Sequence, residues 1–266
     1  MKTGQLVPAH CMRRDVRLTL ALVTALFLID PVAQGQEAGA PPRQPSSETV
    51  IGSGKLQTET RAINGFQAVA LRGSMKLVLR QRQREAVEIR ADDNLLPLIE
   101  TRVTDRSGVP TLEIGGKPGT SYSARGEMTV TVDLRTLKAL TISASGDAFC
   151  DGLKTEALKL VLSGSGDLLL RQLSADAVEI QASGSGDAEV AGRADRVDVA
   201  IAGSADVNVR GLQAGDVGVR ITGSGGAGVN ARRTLTVAIA GSGDVTQVGD
   251  AAVKSSITGS GRVTQR

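Results

Sequence analysis

A five-residue motif returns at near-fixed spacing through the second half of the chain, and this periodicity restricts the fold more than any other feature. The copies are Ser143-Ala144-Ser145-Gly146-Asp147, Ser163-Gly164-Ser165-Gly166-Asp167, Ser183-Gly184-Ser185-Gly186-Asp187, Ala202-Gly203-Ser204-Ala205-Asp206, Thr222-Gly223-Ser224-Gly225-Gly226, Ala240-Gly241-Ser242-Gly243-Asp244 and Thr258-Gly259-Ser260-Gly261-Arg262. Their central serines are 20, 20, 19, 20, 18 and 18 residues apart. A constant period of this length is the mark of a solenoid, in which each coil buries its apolar face only by stacking on its neighbours.

The residues around the motif indicate what kind of coil this is. Leu158, Leu160 and Leu162 precede one copy and Leu168 and Leu170 follow it; Val197, Val199 and Ile201 precede another and Val207 and Val209 follow. Period-2 alternation of aliphatic residues, interrupted at a fixed place by Gly and Ser, reads as strand, corner, strand. Superposed coils bring the apolar positions into register, so parallel strands about 4.8 Å apart are expected to form Val, Ile and Leu ladders. The expected fold is all-β, a parallel β-helix-like solenoid with coils of 18–20 residues, most regular from about residue 136. Residues Gly164, Ser165, Gly166, Gly184, Ser185 and Gly186 are assigned to structural corners, where the backbone needs conformations open mainly to glycine.

Ahead of the coils, Arg13, Arg14 and Arg17 precede an apolar run from Leu18 to Ile29, and Ala33-Gln34-Gly35 supplies small residues for cleavage. Residues 1–35 are therefore expected to be a signal peptide. Residues 36–55, rich in Gln, Pro, Gly and Ser, read as a flexible leader. A single β-solenoid domain is expected over 56–266. The signal segment carries Lys2, Arg13, Arg14 and Arg17 against Asp15 and Asp30, two of the three surplus positive charges. The exported chain is near neutral, which removes the electrostatic case for nucleic acid. It also loses His10 and Cys11, leaving no histidine and Cys150 alone, so no internal disulfide can form. Cys11 precedes the apolar run, the wrong side for a lipid-acylated cysteine. No membrane span is expected after cleavage.

Between Leu56 and Val132 the alternation is shorter and less regular. Asp92-Asp93-Asn94 ahead of Leu95 and Leu96 suits the start of a short helical turn, which Pro97 keeps short. Arg80, Arg82 and Arg84 put three like charges on one side of a strand end; they are read as a solvated face that deters edge pairing, with a grip on an acidic ligand as the alternative.

Stacking also aligns the motif aspartates, which at a coil spacing of about 5 Å repel by roughly 1 kcal/mol per pair. Either each carboxylate accepts hydrogen bonds from its own turn amides, or a cation such as Ca²⁺ sits among Asp147, Asp167, Asp187 and Asp206, the candidate metal ligands. The interruptions at Gly226 and Arg262 and the single Asp per coil favour turns, so no metal or other cofactor is expected. Enzyme signatures are thin: no histidine is left for a Ser-His dyad, and no Gly-Lys-Ser/Thr follows the glycines. A carboxylate-based polysaccharide enzyme on a β-helix stays open as an alternative.

The run Phe66-Gln67-Ala68-Val69-Ala70-Leu71-Arg72-Gly73, with Val87-Glu88-Ile89-Arg90-Ala91-Asp92-Asp93-Asn94-Leu95-Leu96, Leu112-Glu113-Ile114 and Val130 to Leu140 leading into the coils, resembles the bacterial GIN domain, also labelled "putative autotransporter adhesin head domain". The resemblance spans roughly 58–264 and implies an exported, right-handed β-helix-like domain. It brings no catalytic or binding residues. No translocator barrel is visible after the coils, so an autotransporter route is not expected. The expected function is that of a non-enzymatic, adhesin-like or scaffolding module of the bacterial envelope, periplasmic or at the cell surface. Its expected partner is an envelope protein or polysaccharide, with homo-oligomerisation open at the coil ends; a calcium-stabilised structural rod is the further alternative.

Overall fold

In a computed structural model, residues 49–106 and 108–266 are described; the expected signal peptide and most of the leader lie outside the described residues. The strands in order are β1 (Thr49–Ile51), β2 (Leu56–Arg61), β3 (Ala68–Arg72), β4 (Lys76–Gln81), β5 (Ala86–Asp92), β6 (Ile99–Arg106), β7 (Val109–Gly116), β8 (Ser121–Ser123), β9 (Thr129–Leu134), β10 (Ala139–Ala144), β11 (Ala148–Lys154), β12 (Ala157–Gly164), β13 (Leu168–Gly184), β14 (Ala188–Gly203), β15 (Val207–Asn208), β16 (Leu212–Gly223), β17 (Ala227–Gly241), β18 (Asp244–Val248), β19 (Ala252–Gly259) and β20 (Arg262–Gln265). The one helical piece among the described residues is a 3₁₀ turn at Leu96–Leu98, at the place where the Asp-Asn-Leu run and Pro97 predict it.

From β10 onward the chain is a parallel β-solenoid. Leu140 lies beside Leu160, Leu160 beside Ile180, Ile180 beside Val199, Val199 beside Val219 and Val219 beside Val237. Leu140, Leu160, Ile180, Val199, Val219 and Val237 are all buried. Each such side chain contributes about 1.5–3 kcal/mol of burial free energy, and none of them can be buried by its own coil alone. The ladders thus convert a repeat of 18–20 residues into one continuous core.

The glycine at each corner has a steric cause. Gly164 and Gly184 have φ of +133° and +138°, a region that L side chains rarely occupy. A Cβ on Gly184 would also collide with the carbonyl oxygen of Gly164 in the preceding coil. The Ser185 and Gly186 amides both donate to that same oxygen, at 2.9 and 3.1 Å, so the corner is stitched to the one below it.

Chain order and stacking order part company at the N-terminal end. The β3–β4 coil sits between β10–β11 on one side and β7–β9 on the other. Register places Gly73-Ser74-Met75-Lys76 alongside Ala144-Ser145-Gly146-Asp147, a corner of which only Gly73-Ser74 resembles the motif. β5 runs antiparallel to β9, β6 antiparallel to β7, and β2 antiparallel to β5. These hairpin strands close the end of the parallel stack, covering edges that would otherwise be open to pairing. At the other end β19 is exposed along its whole length.

Residues 49–55 differ from the flexible leader expected there. β1 pairs with β8, and the Asp92-Asp93-Asn94 run holds the turn that follows. The fully buried Asp92 carboxylate accepts from the Gly54 amide at 3.0 Å and the Arg125 amide at 2.9 Å. Asn94 accepts from the Ser53 amide at 2.8 Å and donates to the Ile51 carbonyl at 2.8 Å. Polar composition predicted disorder because the polar partners that replace hydrophobic burial lie some 40 residues away.

Candidate functional site

The repeated motif builds a ribbon of corners along one edge of the stack. Its aspartates are linked from coil to coil: the Asp167 amide donates to Oδ1 of Asp147 at 3.0 Å, Asp187 to Asp167 at 2.9 Å, Asp206 to Asp187 at 3.2 Å and Gly226 to Asp206 at 2.7 Å. The acceptor therefore serves the amide of the next coil, and not its own turn as the sequence suggests. Lys76 and Arg262 occupy the two ends of this column, and Arg262 bonds Asp244 through both its amide, at 3.1 Å, and its guanidinium, at 3.2 Å. Carboxylate repulsion is offset by amide dipoles along the column and by the Arg262 cation at one end, whereas Lys76 at the other end is paired with Glu127 at 3.1 Å. No group of three or more potential metal ligands occurs among the described residues. Asp147, Asp167, Asp187 and Asp206 contribute one carboxylate per coil to this ribbon. The first motif serines continue it, with the Ser163 hydroxyl donating to that of Ser143 at 3.2 Å.

The adjoining outer sheet face carries an open groove of about 1450 Å³ across β12, β13, β14, β16 and β17. Two outward columns form its floor. One runs Lys159, Glu179, Asp198, Gly218, Thr236 and the other Gln181, Ala200, Arg220, Ala238. The small residues Ala200, Gly218 and Ala238 leave the depression, and charged pairs border it. Lys159 meets Glu179 at 3.1 Å, Arg196 meets Asp198 at 3.0 Å and Arg233 meets Asp216 at 2.7 Å. Gln181 donates to Glu179 at 2.6 Å, while Arg220 has no partner among the described residues and is free for a ligand. Asp216 is held below the usual carboxylate range by hydrogen bonds from Arg233 and Thr234.

A different polar cluster locks the capped end. Glu113 on β7 is buried, and three arginines converge on it: Arg72 at 2.8 Å, Arg102 at 2.9 Å and Arg106 at 2.6 Å. The Arg106 hydrogen bond, followed by that of Arg102, outweighs the desolvation of the carboxyl and lowers its pKa to about 2. Arg102 and Arg106 reach Glu113 across the β6–β7 hairpin, whereas Arg72 arrives only through the stacking of β3 on β7, which nothing local in the sequence marks. Cys150 faces the core between Leu79 and Leu170. Burial first, and Asp151 second, push its thiol up to about 11, so the nucleophilic thiolate is suppressed at neutral pH.

Comparison with known proteins agrees with this architecture. A family model described as "Putative auto-transporter adhesin, head GIN domain" matches residues 65–251. A Bacteroides fragilis structure titled a putative adhesin superposes with a TM-score of 0.77 at 22% identity, over 82% of this chain and 100% of that one. A Parabacteroides distasonis structure titled a putative lipid binding protein gives 0.70 at 22% identity, over 82% and 100%. A putative adhesin from Parabacteroides merdae gives 0.63 at 25% identity, over 83% and 100%. No curated protein sequence matches significantly. No helix among the described residues is long and apolar enough to cross a membrane.

Proposed function

The chain belongs to the head GIN domain family, and from that premise we propose that it is an exported, non-enzymatic binding module of the bacterial envelope. The outer-face groove carries the reading: it offers a depression about 1450 Å³ in volume whose floor mixes small residues with hydrogen-bonding charges. Such a surface suits an extended polar polymer. A glycan fits it better than a peptide that would add a strand, because the backbone groups of the groove strands are already paired to neighbouring coils, leaving side chains to do the recognising. The absence of histidine from residue 36 onward and the suppressed Cys150 thiolate support a binding role over a hydrolytic one.

The test is retention of the full chain on immobilised envelope polysaccharide, compared with an Ala200→Trp variant that fills the groove. Ala200 is partly exposed on the outer face, and circular dichroism of the variant checks that the fold is kept. We expect retention to fall at least ~10-fold, equivalent to about 1.4 kcal/mol. Equal retention by both proteins refutes the groove, and release of shortened products identifies an enzyme instead. Protease shaving of intact cells places the module on the surface or in the periplasm.

A further inference from the structure

The turn from β4 to β5 passes over the end of β9, because both β4 and β5 pair with that strand. Arg82-Gln83-Arg84 form the arch, and Asp133 lies beneath it. The Arg82 amide donates to the Leu134 carbonyl at 2.8 Å. Gln81 secures the base of the arch: its amide nitrogen donates to the Arg135 and Lys154 carbonyls at 2.9 Å each, and its oxygen accepts from the Lys154 amide at 2.8 Å. Below the arch is a recess of about 480 Å³ lined by Arg80, Arg82, Gln83, Arg84 and Asp133.

The charges in this recess do not balance. Asp133 is buried and takes one hydrogen bond from Arg80, at 2.7 Å. Arg82 reaches only the Gln81 carbonyl, at 3.4 Å, and Arg84 and the Gln83 amide have no partner among the described residues. Glu85, the neighbouring carboxylate, is turned to the Gly65 amide at 2.6 Å. Three permanently charged guanidiniums thus line the recess with one carboxylate, a surplus of two positive charges. Guanidinium forks match tetrahedral oxyanions, which accept several charge-assisted hydrogen bonds at once.

We propose that this recess binds a phosphate-type oxyanion, with Arg82 and Arg84 as the principal donors and Arg80, oriented by Asp133, as the third. The site is separate from the groove, although Gln81 contributes to both regions, so either can fail without the other.

The test is calorimetric titration of the full chain with inorganic phosphate and with glucose 6-phosphate, chloride being adjusted to hold ionic strength constant. Arg82→Gln/Arg84→Gln is compared with Arg193→Gln/Arg232→Gln, which removes equal charge from exposed positions elsewhere. We expect saturable binding that weakens about 10-fold in the first variant and changes less than about 2-fold in the second. Tighter binding of the sugar phosphate identifies an ester-borne group as the natural ligand; equal binding identifies the free anion. Absence of saturable binding, or equal loss in both variants, overturns the proposal, the latter by reducing the effect to net charge. Circular dichroism of both variants confirms that the turn substitutions leave the fold intact.

Discussion

The backbone amide of Asp187 donates to Oδ1 of Asp167, one coil away, at 2.9 Å. The same relationship recurs between Asp147 and Asp167 and between Asp187 and Asp206, so the aspartates bond coil to coil as well as lining the ribbon. A carboxylate that accepts the amide of the next coil is supported there by a backbone dipole.

Asp167→Ala removes this acceptor at an exposed site and is expected to cost about 1 kcal/mol, a fall of roughly 2–4 °C in Tm. Asp167→Asn keeps an acceptor and is expected to cost less than half as much. Thermal melts with and without a chelator check the accompanying claim; a chelator-dependent drop in wild-type Tm contradicts amide-based support and points to calcium.

At the next position up the ribbon the constraint is steric. Gly184→Val places a β-branched side chain at a φ of +138° and against the Gly164 carbonyl, whereas Lys154→Val alters an exposed side chain. The first change is expected to cost about 3 kcal/mol or more and the second less than about 1 kcal/mol. Denaturant melts with matched m-values measure the difference.

These two devices show which parts of the structure could be read along the chain. The coil period, strand alternation and corner glycines are local patterns repeated many times, so stacking them in register recovers Leu160 beside Ile180 without further information. The N-terminal cap repeats nothing. Its Gly73-Ser74 corner has Met75 and Lys76 where the motif has Gly and Asp, and it is stacked out of chain order. The groove depends on which outward positions happen to be small, such as Gly218 beside Asp198. For the Asp column the residue pattern points to amides of each aspartate's own turn, where the structure has the amide of the next coil, because hydrogen-bond direction depends on the offset between coils and not on their period.

The Glu113 cluster makes an acid-sensitive lock. Its carboxyl titrates near 2 in the folded chain against 4.5 when free. A depressed pKa stabilises the fold above pH 4.5, and that contribution is lost as pH falls from 4.5 toward 2. Because the three arginines are half-exposed and screened, we expect it to be worth about 1–2 kcal/mol. Glu113→Gln should lower stability at pH 7 by that order and flatten the pH dependence over the same window, measured by urea melts.

Cys150 gives a prediction of opposite sign. Its folded pKa is raised from 9.0 to about 11, so stability is retained below pH 9 and declines as pH climbs from there toward 11. At pH 8 the native thiol is expected to resist iodoacetamide for hours and to react within minutes in denaturant. Rapid labelling of the native chain, followed by mass spectrometry, would show that the core opens around β11.

Asp92 joins segments that contribute little hydrophobic burial to each other. Its carboxylate holds the amides of Gly54 and Arg125, and a Cβ on Gly52 would collide with it, so the segment from 51 to 55 fits around this one side chain. Asp92→Ala leaves both amides without their acceptor at a buried position and is expected to cost about 2–3 kcal/mol. The loss should be local first, because among the described residues β1 pairs only with the three residues of β8. Hydrogen exchange is therefore expected to accelerate at residues 50–54 and 121–125 while Leu160 and Ile180 stay protected. Uniform acceleration through the coils would instead make the clamp part of the solenoid's cooperative core.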